Sequence, residues 1–243
     1  MGDVLLTEPV VRALRQEYDH VTICTDYPRM AALLGVYDEI IPGYERRSEI
    51  IDGQYDRVIE LLYEIYPGIN HLQGYARCAG IELARSVPRI HHSFPRIIEG
   101  PYGFIAPDTS FWIRSMREWP RERFEDLATR LEQRLGLPFV FLEQKHTFED
   151  MLSLAEHCEL FVGNDSGPAH LAQCFDRPTF VIFGATSPDL VLLSDSAVGI
   201  ISDVGCNGCK HFSRHTAIEC ATPMCLDSLS VDAVFEQIVS RLG

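Results

Sequence analysis

The sequence predicts an α/β fold of two lobes, each built on a parallel sheet. Two observations carry that expectation. Short apolar runs of strand length alternate with helix-period segments through the first third of the chain, and the rhythm restarts near residue 102. Strands that alternate with helices pair in parallel. Between the two series, Pro88 to Pro101 contains Pro88, Pro95 and Pro101, the pair His91-His92 and no clear period, which reads as a linker. The lobes are therefore placed at residues 1–95 and 96–243. At 243 residues the chain is long enough to bury a real core.

In the first lobe, Thr7-Glu8-Pro9 has the form of a helix start, a capping side chain followed by proline in the first turn. Val10, Val11 and Leu14 would be its buried stripe, ending near Tyr18. Val21–Thr25 reads as a strand, Met30–Leu34 as a helix and Glu39–Ile41 as a second strand. Tyr55–Leu62 reads as a third, and His71–Ile81 as a helix with Leu72, Tyr75, Ala76 and Ala79 on one face. In the second lobe, strands are expected at Tyr102–Ala106, Pro138–Leu142, Leu160–Val162 and Thr179–Phe183. Helices are expected at Pro120–Leu135, at Thr147–His157 capped by Thr147, at Pro168–Cys174, and at Val231–Leu242 capped by Ser230. The sequence contains no internal repeat and no low-complexity tract.

Twenty-one Lys and Arg against 35 Asp and Glu leave a formal charge of −14. Nucleic-acid grooves and polybasic membrane patches need clustered cations, so neither partner is expected. No apolar run approaches the ~18 residues needed to span a bilayer, and Met1–Val11 lacks a basic leader segment. A soluble cytoplasmic protein is the expectation. Of eight cysteines, Cys24, Cys78, Cys158 and Cys174 lie scattered among apolar neighbours and read as small core residues.

Residues 160–188 are the most informative stretch. Leu-Phe-Val-Gly-Asn-Asp165-Ser166-Gly167-Pro168-Ala-His170 is a strand, a turn and a helix start with proline in its first turn, and Val-Ile-Phe-Gly184-Ala-Thr186 follows. The amides of such a helix start form an anion site, which the helix dipole strengthens. Ligands of open α/β sheets bind at the carboxyl ends of strands, where this turn lies. Asp165 can accept from a ligand hydroxyl, Ser166 and Gly167 can hold a phosphate, and His170 lies one turn along. Taken alone, Asp165 and Ser166 read equally as helix caps and His170 as a core histidine.

The stretch closely resembles the donor-binding motif of family 9 glycosyltransferases, the lipopolysaccharide heptosyltransferase family: Asp-Thr/Ser-Gly-x-x-His-x-Ala, then a proline before a strand ending Phe-Gly-x-Thr. Met1-Gly2-Asp3-Val4-Leu5-Leu6-Thr7-Glu8-Pro9 resembles that family's first loop and helix, whose Gly-Asp carries the catalytic base. Arg117-Glu118-Trp119-Pro120 resembles its Lys-x-Trp-Pro segment, with Arg for Lys. Cys206-x-x-Cys209 with Cys220 and Cys225-Leu-Asp resembles the cysteine-bearing C-terminal segment of many members.

The resemblance implies a GT-B fold of two Rossmann-like lobes, the first reduced. It implies a nucleotide-sugar donor, typically ADP-heptose, held mainly by the second lobe, and a glycan (lipopolysaccharide core) or protein acceptor against the first. It implies an inverting, metal-independent transfer that needs no cofactor for catalysis. Asp3 would act as general base, and Arg117 with the Ser166–Gly167 helix start would stabilise the departing diphosphate. Arg suits that role because its fork holds two phosphate oxygens. Asp165, Ser166, Gly167, His170 and Thr186 would contact the donor.

The chain departs from the family pattern in two places. A strand and a Ser-rich loop normally precede Gly-Asp, which here follows Met1 directly. The reading favours a truncated frame with Met1 internal to that loop; the alternative is a lobe without its first strand, which would tend to pair with another surface, so a homo-oligomer stays open. The chain is also short of the family's length, with strand 138–142 passing almost directly into helix 147–157, where Glu143 and Lys145 are candidates to replace missing donor contacts.

Cys206, Cys209, Cys220 and Cys225 have a spacing that suits structural Zn²⁺ or iron, with His211 and His215 as spare ligands. Some autotransporter heptosyltransferases resemble this in carrying a four-cysteine iron site. Disulfides or free thiols are the alternatives. Phe111, Trp112 and Arg114 are candidates to stack on adenine or to cover a cleft, and Glu45-Arg46-Arg47 reads as a solvated turn. Two other functions remain open: a non-catalytic nucleotide-sugar binding module, and a GT-B sugar-nucleotide epimerase, for which no paired carboxylates are evident.

Overall fold

The computed structural model describes residues 1–46, 55–109, 114–209, 220 and 223–242. Its contacts divide the chain into two compact units, Met1–His92 and Ser93–Gly243.

The first unit contains α1 (Gly2–Leu14), β1 (Thr22–Thr25), α2 (Pro28–Leu34), β2 (Glu39–Pro42) and α3 (His71–Cys78). Helix α1 starts five residues before the predicted cap. Val4, Leu5 and Leu6 extend the buried stripe of Val10, Val11 and Leu14, so the chain gains more by coiling from Gly2 than by starting at Thr7. Thr7 lies inside the helix and donates its hydroxyl back to the Val4 carbonyl at 2.6 Å. Pro9 also lies inside, and α1 ends at Leu14, short of Tyr18. Strands β1 and β2 form a two-stranded parallel sheet with Thr22 opposite Glu39. Gly35, at φ +65°, ends α2 in the left-handed conformation that glycine adopts without strain. Asn70 caps α3 by accepting from the Leu72 amide at 3.1 Å.

The predicted third strand does not form: the segment Tyr55–Leu62 joins no described sheet. A strand exists only by pairing, and the side of β1 away from β2 faces a cavity instead of this segment's backbone. Arg57 anchors the segment by donating to the Ala79 carbonyl at 2.6 Å.

The second unit is a five-stranded parallel sheet of β3 (Gly103–Ala106), β4 (Phe139–Phe141), β5 (Leu160–Asn164), β6 (Thr179–Ile182) and β7 (Ala197–Ile200), ordered β4-β3-β5-β6-β7. Its helices are α4 (Arg114–Arg117), α5 (Arg121–Leu135), α6 (Phe148–His157), α7 (Gly167–Cys174), α8 (Pro188–Val191), α9 (Met224–Asp227) and α10 (Val231–Leu242). Thr147 and Asp150 start α6 as a reciprocal capping box, and the Ser230 hydroxyl accepts from the Ala233 amide at the start of α10. Phe124, Leu127 and Leu131 of α5 pack with Val234 and Ile238 of α10 over Val162 and Ile182. Strand β7 and the short helices α4, α8 and α9 were not anticipated; each is only four residues long and shows too little period to be read.

Of the four scattered cysteines only Cys158 is buried; Cys24, Cys78 and Cys174 are half-exposed, so the core expectation holds for one. Phe111, Trp112, Arg47, His211 and His215 lie outside the described residues, as does the side chain of Arg114. Glu143 and Lys145 pair with each other at 2.7 Å on the surface. Among the described residues no helix is long and apolar enough to cross a membrane.

Candidate functional site

The strand order reverses between β3 and β5, since the chain leaves β3 for β4 on one side and returns to β5 on the other. Crevices at such points receive ligands of open α/β sheets. Asn164, the last residue of β5, spans this point. Its side chain is fully buried, accepts from the Trp119 amide at 3.0 Å and donates to the Pro107 carbonyl.

Three anchors fix the segment 116–119 beside it. The Trp119 indole donates to the Leu229 carbonyl at 2.9 Å and meets Phe124 edge-on. Glu118 accepts from both the amide and hydroxyl of Thr109, at 3.0 and 3.1 Å. The Met116 carbonyl accepts from the Ala185 amide at 3.2 Å and lies against Gly184, where a Cβ would stand 2.6 Å from the oxygen. Only glycine permits that approach.

These constraints deliver Arg117 to Asp165. The guanidinium Nη1 stands 3.3 Å from Oδ2, with both side chains mostly buried. Thr186, buried after β6, donates its hydroxyl to the same carboxylate oxygen at 2.6 Å. Ser166 is the N-cap residue of α7 by position, yet its side chain makes no capping bond. Its hydroxyl oxygen is inaccessible and without a partner among the described residues, and Arg117 Nε is in the same state. Polar groups left this way are rare in native proteins and mark places where a missing partner belongs. The helix-cap alternative therefore fails for Ser166. Gly167 opens α7, and His170 sits one turn into it, largely buried.

The structure thus brings Arg117, Asp165, Ser166, Gly167, His170 and Thr186 to one end of one sheet. It also adds Asn164, which sequence reasoning passed over as the end of a strand. The available signal was its polarity: an amide in an otherwise apolar run must be satisfied when buried. Asp3 belongs to the first unit. It is exposed in the first turn of α1, where the Met1 amine has its pKa lowered by burial and raised by the Asp3 charge.

The cysteine expectation fares differently. The Cys225 thiol is pushed above its usual range, first by burial and then by Cys206, with Cys209 adding to the effect. Three sulfurs are therefore within electrostatic reach. Even so, among the described residues no three His, Cys, Asp or Glu side chains converge as metal ligands.

Comparison with known proteins follows the same stretch. The model of glycosyltransferase family 9 (heptosyltransferase) matches residues 136–220. Lipopolysaccharide heptosyltransferase 1 of Campylobacter coli is 48% identical over 42 residues, which cover 17% of this chain and 12% of that protein. The chain therefore aligns with about one-eighth of that relative's length. Lipopolysaccharide heptosyltransferase 3 of Escherichia coli K12 is 23% identical over an alignment of 278 positions, covering 76% of this chain and 80% of that one. The solved iron-containing dodecameric glycosyltransferase TibC of enterotoxigenic E. coli H10407 superposes with a TM-score of 0.72 at 15% identity, covering 100% of this chain and 74% of that chain. TibC has also been solved in complex with ADP-D-β-D-heptose. The structural likeness shows the fold: α/β with parallel sheets, of the GT-B type.

Proposed function

We propose that this chain, a family 9 heptosyltransferase-like protein, transfers heptose or a related sugar from an ADP-sugar donor to a glycan or protein acceptor. The observation that carries the reading is the Arg117–Asp165–Thr186 cluster at the start of α7, with the Ser166 hydroxyl left unsatisfied beside it. A nucleoside diphosphate supplies what that cluster lacks. Its phosphate oxygens accept from Ser166 and from the α7 amides, and Arg117 balances their charge. Asp165 holds Arg117 in place, and Thr186 holds Asp165.

The transfer is an inverting displacement. Asp3 takes the proton from the acceptor hydroxyl, and the oxygen forms a bond to the anomeric carbon. The bond from that carbon to the diphosphate oxygen breaks, and its electron pair leaves with ADP. Positive charge from Arg117 and the helix dipole is worth most at this moment, because the leaving oxygen gains charge as the bond lengthens. No step calls on a metal.

Calorimetric titration with ADP-heptose, ADP-glucose, UDP-glucose and ADP tests the donor site. Tight binding of one sugar nucleotide, lost in Asp165→Ala, is the expected result. A folded protein that binds none of them would end the reading. Asp3→Asn then separates an enzyme from a binding module. The enzyme loses turnover and keeps donor affinity, while the module has no turnover to lose.

A further inference from the structure

Gly184 stands between the two groups that bond Asp165. It lies against the Met116 carbonyl, one residue before Arg117, and it precedes Thr186 by two residues. Arg117 and Thr186 both reach Asp165 Oδ2. Whatever fixes Gly184 therefore fixes both partners of that carboxylate.

The cysteine-bearing C-terminal segment makes two contacts to Gly184. The Gly208 amide donates to the Gly184 carbonyl at 3.0 Å. Leu226 of α9 packs beside it, where a Cβ on Gly184 would stand 3.0 Å from Leu226 Cγ. Cys209 follows Gly208 and Cys225 precedes Leu226, so two of the segment's four cysteines adjoin these contacts.

Both contacts have anchors of their own. The chain leaves β7 after Ile200, whose carbonyl accepts from the Phe183 amide at 2.9 Å, and turns at residues 205–208. Asn207 shapes that turn, donating Nδ2 to the Ser202 and Val204 carbonyls at 2.6 and 2.7 Å. Gly208 is buried and takes φ +74°, a conformation that L side chains adopt only with strain. Arg123 of α5 fastens α9, donating Nη1 to the carbonyls of Leu226, Asp227 and Leu229 at 3.1, 3.1 and 3.0 Å.

We propose that Gly208 is a positioning residue of the donor site. Its amide holds the Gly184 carbonyl, and through Gly184 it sets Arg117 and Thr186 against Asp165. The cysteine-bearing segment then belongs to the donor-binding machinery instead of standing apart from it. This inference rests on the donor reading given above. Coupling of this kind is reciprocal: if the contact favours donor binding, donor binding favours the contact.

The test uses the full chain with ADP as the probe, calorimetry for affinity and melting for stability. Gly208→Pro removes the donating N–H and cannot take a positive φ. Gly136→Pro is the matched control. Gly136 lies in the same unit, has φ +64° and donates its amide to the Glu132 carbonyl at 2.9 Å. It precedes β4, at the amino ends of the strands, whereas the donor turn lies at their carboxyl ends.

Gly208→Pro should bind ADP about tenfold more weakly, as loss of a positioning hydrogen bond predicts. Gly136→Pro should bind it within about twofold of the parent at a similar loss of Tm. Gly208→Ala, a milder change, should give an intermediate loss and carries the test if the proline variant does not fold. ADP should also slow amide hydrogen exchange across residues 202–209, a stretch that contains none of the proposed donor contacts. Unchanged exchange overturns the inference, as does equal weakening by Gly136→Pro, which reduces the effect to lost stability. A parent protein that binds ADP, with Gly208 variants that bind it equally well, overturns the inference and leaves the donor reading standing. A folded parent that binds no ADP ends the donor reading and this inference with it.

Discussion

Gly184 lies against the Met116 carbonyl at the candidate donor site: a Cβ on Gly184 would stand 2.6 Å from that oxygen. The contact ties the exit of β6 to the residue preceding Arg117. Two sequence motifs separated by a whole βαβ passage therefore share one joint. Gly184→Ala forces the 116–117 backbone outward. It should cost about 1–3 kcal/mol, as overpacking does, and should weaken donor binding more than an alanine elsewhere in the sheet with equal loss of Tm. Melting curves and calorimetry on the same preparations check this.

Thr186 acts through Asp165. Its hydroxyl is buried and given to Oδ2, so under the proposed donor reading it would act by positioning Asp165. Thr186→Val keeps the shape and removes the bond. Donor affinity should fall about three- to tenfold, matching a net hydrogen bond of about 1 kcal/mol. Thr186→Ser should restore it, whereas a purely packing role would be restored better by valine.

Asn164 joins residues far apart in sequence, accepting from Trp119 and donating to Pro107. Asn164→Leu leaves two buried backbone groups unsatisfied, for a loss of about 2–6 kcal/mol. Asn164→Asp keeps the acceptor for Trp119 but sets a carboxylate against the Pro107 carbonyl. It should therefore recover stability at acid pH, where protonation supplies a donor. Chemical denaturation at pH 5 and pH 8 separates the two variants.

Cys158 supplies an alkaline prediction. Burial pushes its thiol up to about 12. Because the folded value is raised, its contribution to stability is complete below the unfolded thiol's pKa and is lost as pH rises from there towards 12. Cys158→Ala should flatten that decline. The native thiol should resist iodoacetamide at pH 8 under conditions that label exposed Cys206, and mass mapping of the labelled peptides reads the difference.

Much of the second unit was legible because its signals are local. The alternation of apolar runs with helix-period segments located β3 to β6 and helices α5, α6, α7 and α10, and Thr147, Ser230 and Pro168 marked helix starts by their own chemistry. The turn at Asp165–Gly167 was equally visible, since strand, cap residues and proline lie within a few positions. The first unit was less legible. Thr7-Glu8-Pro9 has the form of a helix start, but the burial of Val4, Leu5 and Leu6 outweighs that local preference. Tyr55–Leu62 has the composition of a strand, yet composition does not provide a partner.

The sequence by itself determined the α/β class, the linker segment 88–101 within which the two units divide, and the strand–turn–helix at Asp165–Gly167, because propensity, period and capping act over a few residues. Only the tertiary structure decided that Arg117 meets Asp165, that Thr186 bonds Asp165, and that Asn164 ties the end of β5 to Pro107 and Trp119. Those relationships depend on strand order, and strand order is set by how helices cover the sheet, a long-range packing outcome that no short window contains.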